Sequence, residues 1–196
     1  MKTILASKSP RRTEILSLMN IDHIIIPSTE EEVIEPNLSP EEVVKSLAYQ
    51  KANSVAKQYP TDLVIGSDTI VVINNQILGK PKDYNDAVRM LLLLQNNTHQ
   101  VMTGVSLIKG EQIDTFVDIA DVTFKEMTKE DIDKYLETDK PFDKAGAYGI
   151  QDPNATFIKQ IKGDYYTIMG LPKEQLQKHI KQFFNYFDFY QWKKYR

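Results

Sequence analysis

Three groups of residues in this chain combine types and settings that phosphate chemistry uses. The first is Ser7-Lys8-Ser9-Pro10-Arg11-Arg12, which follows the short apolar run Thr3 to Ala6. Ser9 is a good helix cap, and Pro10 suits the first helical position. The free N–H groups and dipole of a helix start attract phosphate; Arg11 and Arg12 add two fixed charges there, with Ser7 and Ser9 as hydroxyl donors. The plainer reading is a capped helix with two solvated arginines. The second group is Gly66-Ser67-Asp68-Thr69, lying between the apolar runs Leu63 to Ile65 and Ile70 to Ile73. Glycine permits an unusual backbone path, and a carboxylate in such a link can face a cleft, bind Mg²⁺ or take a proton from water. Its plainer reading is a turn aspartate bonded to its own backbone. The third group is lysine: Lys51, Lys80 within Gly79-Lys80-Pro81, and Lys144 within Asp143-Lys144-Ala145-Gly146. Each alone reads as surface charge, although flanking Gly and Pro aim Lys80 in one direction. Glu30-Glu31-Glu32 can reach a metal that bridges phosphates, since Mg²⁺ prefers a carboxylate or two plus water and phosphate oxygens; otherwise it is a solvated acidic loop.

Other chemistries lack their residues. The chain has no cysteine, so disulfides, thiolate nucleophiles and thiolate metal sites are excluded, and a reducing, cytoplasmic setting is expected. His23, His99 and His179 lack metal-ligand spacing, and neither a Gly-x-Ser-x-Gly elbow nor a Walker A sequence occurs. A formal net charge of −3 supplies no global field for a polyanion, so no stable nucleic-acid binding is expected and any anion must be held locally. The longest apolar run, Met90 to Leu94, cannot span a bilayer, and the opening Met1 to Ala6 is too short for a signal peptide. A length of 196 residues with 41% hydrophobic content suits a single domain, its core undivided or shared by closely packed lobes.

The elements that must position these groups follow from periodicity and punctuation. A strand is expected at Thr3 to Ala6, a helix from about Arg11 to Met19 with Ile15, Leu16 and Met19 inward, and a strand at His23 to Ile26. Ser39-Pro40-Glu41-Glu42 has capping-box spacing and opens a helix whose period lasts until Pro60. Leu63 to Ile65 and Ile70 to Ile73 are expected as separate strands with Asp68 between them, and Asn74-Asn75 as a turn into Gln76 to Leu78. Asp83 or Asn85 caps a helix reaching Leu94. Gln100 to Lys109 and Gln112 to Phe124 form a hairpin, Thr128 to Glu137 a capped helix, and Asp139 to Gln151 a loop. Ala155 to Ile161 and Tyr165 to Ile168 are expected as a second hairpin turning at Gly163-Asp164, before a last helix. Helices alternate with strands and hairpins, so an α/β fold with a mixed sheet is expected.

In this order the pieces resemble the Maf family of nucleoside triphosphate pyrophosphatases. The resemblance rests on Ser7-x-Ser9-Pro10-Arg11-Arg12, Glu31-Glu32, Lys51, Gly66-Ser67-Asp68-Thr69, Gly79-Lys80-Pro81, Thr103-Gly104, Asp143 to Gln151, Gly163-Asp164-Tyr165-Tyr166 and Gly170-Leu171-Pro172, and extends from residue 3 to about residue 182. It implies a two-lobed, ITPase-like α/β fold with a central twisted mixed β-sheet and a cleft between the lobes. It also implies a divalent cation, Mg²⁺ or Mn²⁺, and hydrolysis of a nucleoside triphosphate to monophosphate and pyrophosphate. By the same resemblance Asp68 is the proton acceptor, Ser7, Arg11, Arg12, Lys51 and Lys80 surround the phosphates, and Glu32 joins Asp68 at the metal. Arg11, Thr69 and Gln151 occupy the positions tied to base choice and look like the branch acting on dTTP and UTP, including modified pyrimidine nucleotides, and unlike the branch acting on 7-methyl-GTP.

Gln151 offers both donor and acceptor to a uracil or thymine edge. The chain departs from the family pattern at Ser67, where alanine is common, at Asp152-Pro153-Asn154, where a glycine-bearing turn is usual, and at Thr167-Ile168, in place of an Asn-Val type of pair. The aromatic and basic end, Phe183 to Arg196, runs beyond the resemblance and is expected to pack on the core, to support a homodimer or to stack on a partner. The rival reading is a nucleotide-sensing or partner-binding protein of cell division or shape control that uses the same cleft without hydrolysis.

Overall fold

The computed structural model describes residues 1–184; the tail Asn185 to Arg196 lies outside the described residues. Its elements begin with β1 (Thr3–Leu5), α1 (Pro10–Leu18) and β2 (Ile24–Ile25), followed by α2 (Pro40–Ala56). The expected capping box starts α2: the Ser39 hydroxyl accepts from the Glu42 amide, and the Ser39 amide donates to the Glu42 carboxylate at 2.8 Å. The helix ends at Ala56, four residues before Pro60. At α1 the expectation is met only in position, because Ser9 stands at the cap but its side chain makes no capping hydrogen bond.

The two strands expected around Gly66 to Thr69 are one. β3 (Leu63–Ile73) runs through all four residues and pairs antiparallel with β5 (Thr98–Lys109), with Asp68 opposite Gly104 and Thr69 opposite Thr103. Gly66 makes no turn. A Cβ there would lie 2.4 Å from the Ala48 carbonyl oxygen, and one on Gly104 would lie 2.3 Å from the Val44 carbonyl oxygen. The missing side chains let α2 lie directly on the backbones of β3 and β5, a role that resembles a turn signal in sequence but has a different physical cause.

β3 continues through Asn74 and Asn75, both at positive φ, into β4 (Gln76–Leu78), the hairpin geometry that asparagine tolerates. Asp83 caps α3 (Tyr84–Leu94) by accepting from the Asp86 amide. β5 returns as β6 (Gln112–Phe124), and Thr128 opens α4 (Lys129–Asp139) with a second capping box. A single 3₁₀ turn at Ala145–Ala147 interrupts the loop that follows. β7 (Ile158–Lys162) pairs with β6, but Tyr165 to Ile168 does not return as its hairpin partner. That segment is the helix α5 (Tyr165–Met169), because the Asp164 carboxylate accepts from the Tyr166 amide and Gly170 supplies a left-handed stop. A run rich in strand-forming types is thus overruled by a cap at each end. α6 (Lys173–Phe183) closes the described chain, and Phe183 and Phe184 are buried.

The seven strands among the described residues form one mixed sheet in the order β2-β1-β3-β5-β6-β7, with β4 on β3. Period 2 along β3 divides its side chains between two faces. Leu63 and Ile65 join one apolar cluster with Leu5, Ile15, Leu107 and Ile180; Val71 and Ile73, on the same face, join another with Leu91, Phe124 and Leu136. Between them on that face stand Ser67 and Thr69, so the two lobes are two cores on one sheet separated by a polar gap. On the other face α2 covers Val64, Ile70 and Val72.

Candidate active site

The cleft is a gap in the ladder. β1 pairs with β3 only at Leu63, Val64 and Ile65, and β4 only at Val71, Val72 and Ile73. Gly66 to Ile70 therefore keep a strand partner on the β5 side alone, and the open side of this stretch faces a cleft of about 700 Å³. Ser7, Ser9, Arg11, Arg12, Glu32, Lys51, Asp68, Thr69, Lys80, Lys144 and Gln151 all line it, whereas Gly66, Ser67, Glu30 and Glu31 do not.

Asp68 lies on the α2 face of β3, where the helix presents Lys51. The Lys51 ammonium pairs directly with the Asp68 carboxylate and stands 3.2 Å from Glu32 Oε1. Lys51 and Asp68 are each about 15% exposed at the side chain, so the pair is partly withdrawn from water while still reached from the cleft. Glu32 comes from an irregular loop that α2 also holds elsewhere: Gln50 accepts from the Val33 amide at 2.9 Å and donates to the Val33 carbonyl at 2.8 Å, and the Ser54 hydroxyl donates to that of Ser28 at 2.8 Å.

Arg12 is the most constrained cation. Its Nε donates to the Gly170 carbonyl at 2.8 Å, Nη1 to the Ser7 hydroxyl at 2.9 Å and Nη2 to the Thr69 hydroxyl at 3.2 Å. Removal from water pulls its pKa below the ordinary arginine value, an effect that Asp68 opposes. Thr69 Oγ1 shares a hydrogen bond with Thr103 Oγ1 at 2.9 Å, and Thr103 donates to the Thr167 carbonyl at 2.7 Å. The buried Ser67 hydroxyl lies 3.0 Å from the Gly104 carbonyl oxygen and 2.9 Å from that of Gly170 and can donate to either. Four hydroxyls and one guanidinium thus lock β3, β5, α1 and the end of α5 together beneath the cleft.

Arg11 points the other way. Its Nη1 lies 3.6 Å from Asp143, whose carboxylate also stands 3.3 Å from the Lys144 ammonium. Because the Ser9 hydroxyl is not spent on the cap, the first amides of α1 are left without a side-chain partner at the cleft, the setting in which a helix start accepts an anion. Lys80 is exposed on the opposite rim. Cations therefore approach the cleft from α1, α2, the β4–α3 loop and the 143–152 loop.

Sequence reasoning singled out Lys144 but not the residues that hold it and its loop. Asp152, flagged only as a departure from a pattern, lies 3.6 Å from Lys144 and accepts from the Tyr135 hydroxyl at 2.6 Å. Tyr148 also lines the cleft and shares a 2.8 Å hydrogen bond with the buried His99. No local pattern marks these residues; their partners are distant in the chain.

Among known sequences, the profile described as Maf-like protein matches residues 2–183. A protein of Bacillus cytotoxicus named dTTP/UTP pyrophosphatase is 48% identical over 93% of this chain and 95% of its own length. Proteins of the same name from Bacillus cereus and Bacillus velezensis are each 47% identical over 93% of this chain, and 95% and 96% of their own lengths. With the cleft, the convergent cations and this likeness along nearly the whole described chain, the protein belongs to the Maf-like family.

Proposed function

We propose that the protein is a nucleoside triphosphate pyrophosphatase that hydrolyses dTTP and UTP, and modified pyrimidine nucleotides, to the monophosphate and pyrophosphate. One observation carries this reading above the others: Asp68 is the acidic residue that the sheet itself presents to a cleft lined by six basic residues, namely Lys8, Arg11, Arg12, Lys51, Lys80 and Lys144. The names of the Bacillus relatives agree with it. Opposite unit charges about 4 Å apart interact by roughly 4 kcal/mol at an effective dielectric of 20. A few such contacts are enough to hold a tetra-anion on an acidic chain.

Asp68 accepts the proton of a water that attacks the α phosphorus. The bond from that phosphorus to the oxygen bridging to the β phosphorus breaks, and its electron pair leaves with pyrophosphate. Lys51 orients Asp68, Arg11 and Lys80 neutralise the phosphate chain, Ser7 donates a hydrogen bond to it, and Arg12 fixes the floor on which Thr69 and Ser7 sit. Gln151 and Thr69 meet the base.

A divalent cation suits this donor set. Asp68 and Glu32 both converge on the single ammonium of Lys51, and no group of three or more His, Asp or Glu forms a closed cage among the described residues. Mg²⁺ or Mn²⁺, which take one or two carboxylates and complete their shell with water and phosphate oxygens, fit where a fully caged metal would not. When bound, such a cation neutralises phosphate charge and orients the anhydride.

The test is product identity. Incubation with each triphosphate and Mg²⁺ is expected to give monophosphate plus pyrophosphate from dTTP and UTP; diphosphate plus orthophosphate would defeat the assignment, and binding without products would favour the sensing role. Asp68→Asn is expected to bind nucleotide but turn over about 10²- to 10⁴-fold more slowly.

A further inference from the structure

Gln151 is exposed and sits in the middle of a turn that belongs to no regular element. A side chain so placed can choose between bases only if the backbone beneath it is held. The turn runs from Gly149 to Asp152 and is closed by the Asp152 amide donating to the Gly149 carbonyl at 3.2 Å. Its two ends also meet on one phenol oxygen. Tyr135 Oη donates to Asp152 Oδ2 at 2.6 Å and accepts from the Gly149 amide at 3.1 Å. Tyr135 stands on α4 and is itself 2% exposed, packed edge-on against Phe157, so the clamp is anchored in the core rather than on the surface.

The turn is also filled and neutralised. A Cβ on Gly149 would lie 2.4 Å from Asp152 Oδ1, so glycine is what lets the carboxylate tuck under the turn. The Lys144 ammonium lies 3.6 Å from the same oxygen, and the two side chains are 14% and 10% exposed. Through Asp143, which both Lys144 and Arg11 approach, the ionic chain continues to the second residue placed at base choice.

We propose that Tyr135 and Asp152 are positioning residues for base selectivity: by clamping both ends of the Gly149 to Asp152 turn they hold the Gln151 amide against the pyrimidine edge. The proposal rests on the reading of the chain as a pyrimidine nucleoside triphosphate pyrophosphatase. The base lies away from the reacting phosphorus, so loosening the clamp weakens binding of ground and transition states alike and raises KM with little change in kcat. It also narrows the difference between a base that pairs with the amide and one that does not.

The experiment measures pyrophosphate release from UTP, dTTP, CTP and ATP by the full chain and by Tyr135→Phe, Asp152→Ala and Asp152→Asn, each in wild-type and Gln151→Ala backgrounds. Tyr135→Phe and Asp152→Ala are expected to raise KM for UTP by about tenfold, leave kcat within about threefold and reduce the UTP to CTP preference by about tenfold. Asp152→Asn, which retains an acceptor for Tyr135 but loses the charge for Lys144, is expected to give about a threefold loss and guards against poor folding of the others. In the Gln151→Ala background the same substitutions are expected to change the preference no further, because the effects act through one side chain. Lower melting temperatures with unchanged preference, or equal losses with and without Gln151, would overturn the proposal. Wild-type protein that hydrolyses the four substrates equally or not at all would overturn the underlying reading and this one with it.

Discussion

The floor of the cleft and its outer wall are built in opposite ways. On the floor, Asp68 and Lys51 rise from the interior of a strand and a helix whose backbones touch, because Gly66 and Gly104 carry no side chain. On the wall, Arg11, Asp143, Lys144 and Asp152 form a chain of ion pairs in which Asp143 is 65% exposed. The first arrangement permits almost no adjustment, and the second can be retuned one side chain at a time. On the proposed reading, reaction geometry is vested in backbone contact, and recognition in side-chain networks on loops.

Four measurements can break or sharpen that contrast. Lys51→Met removes the partner that orients Asp68, and kcat is expected to fall by about 10²- to 10³-fold with the fold retained; near-normal turnover would take Lys51 out of the floor. Gly104→Ala forces a methyl group against the Val44 carbonyl, and urea denaturation is expected to show a loss of about 3 kcal/mol. A loss below about 1 kcal/mol would mean that α2 can lift off the sheet after all.

Behind the wall, His99 is buried, and burial holds its pKa down to about 4 against an ordinary value of 6.5. The unfolded chain therefore takes up the proton first as pH falls. Stability is full above about pH 6.5 and is lost between there and pH 4, by an amount on the order of 3 kcal/mol; the slope across this window is expected to shrink in His99→Gln. The smallest effect is assigned to the rim. Asp143→Asn is expected to change stability by less than about 0.5 kcal/mol, as exposed ion pairs do, and a large loss would show that the wall bears load like the floor.

The element order was legible because periodicity and caps are local: the Ser39 capping box, the Thr128 cap, the Asn74-Asn75 turn and the long β5–β6 hairpin stand where the residues place them. Two elements depart from their local signals for one reason. Gly66 by type suggests a link between strands and Tyr165 to Ile168 a strand, but in each case a neighbour decides, α2 over Gly66 and the Asp164 and Gly170 stops around α5. The gathering of Asp68, Lys51, Lys80 and the α1 arginines was legible only through the resemblance, since spacing along the chain does not say which loops meet. The hydroxyl network of Ser7, Ser67, Thr69 and Thr103, and the phenol of Tyr135 under the 149–152 turn, join residues remote in sequence and carry no local signature. Among the described residues no helix is long and apolar enough to cross a membrane, in keeping with the short apolar runs.

The ladder from Val64 to Val72 on β3 is unbroken against β5, and these two strands carry the cores of both lobes. A clamshell needs a hinge, and here the place where one would lie is crossed by a stiff, doubly stranded girder. Swinging the lobes would require bending this paired ladder at Asp68, the residue proposed to take the proton. The two lobes therefore share one continuous support that runs beneath the cleft.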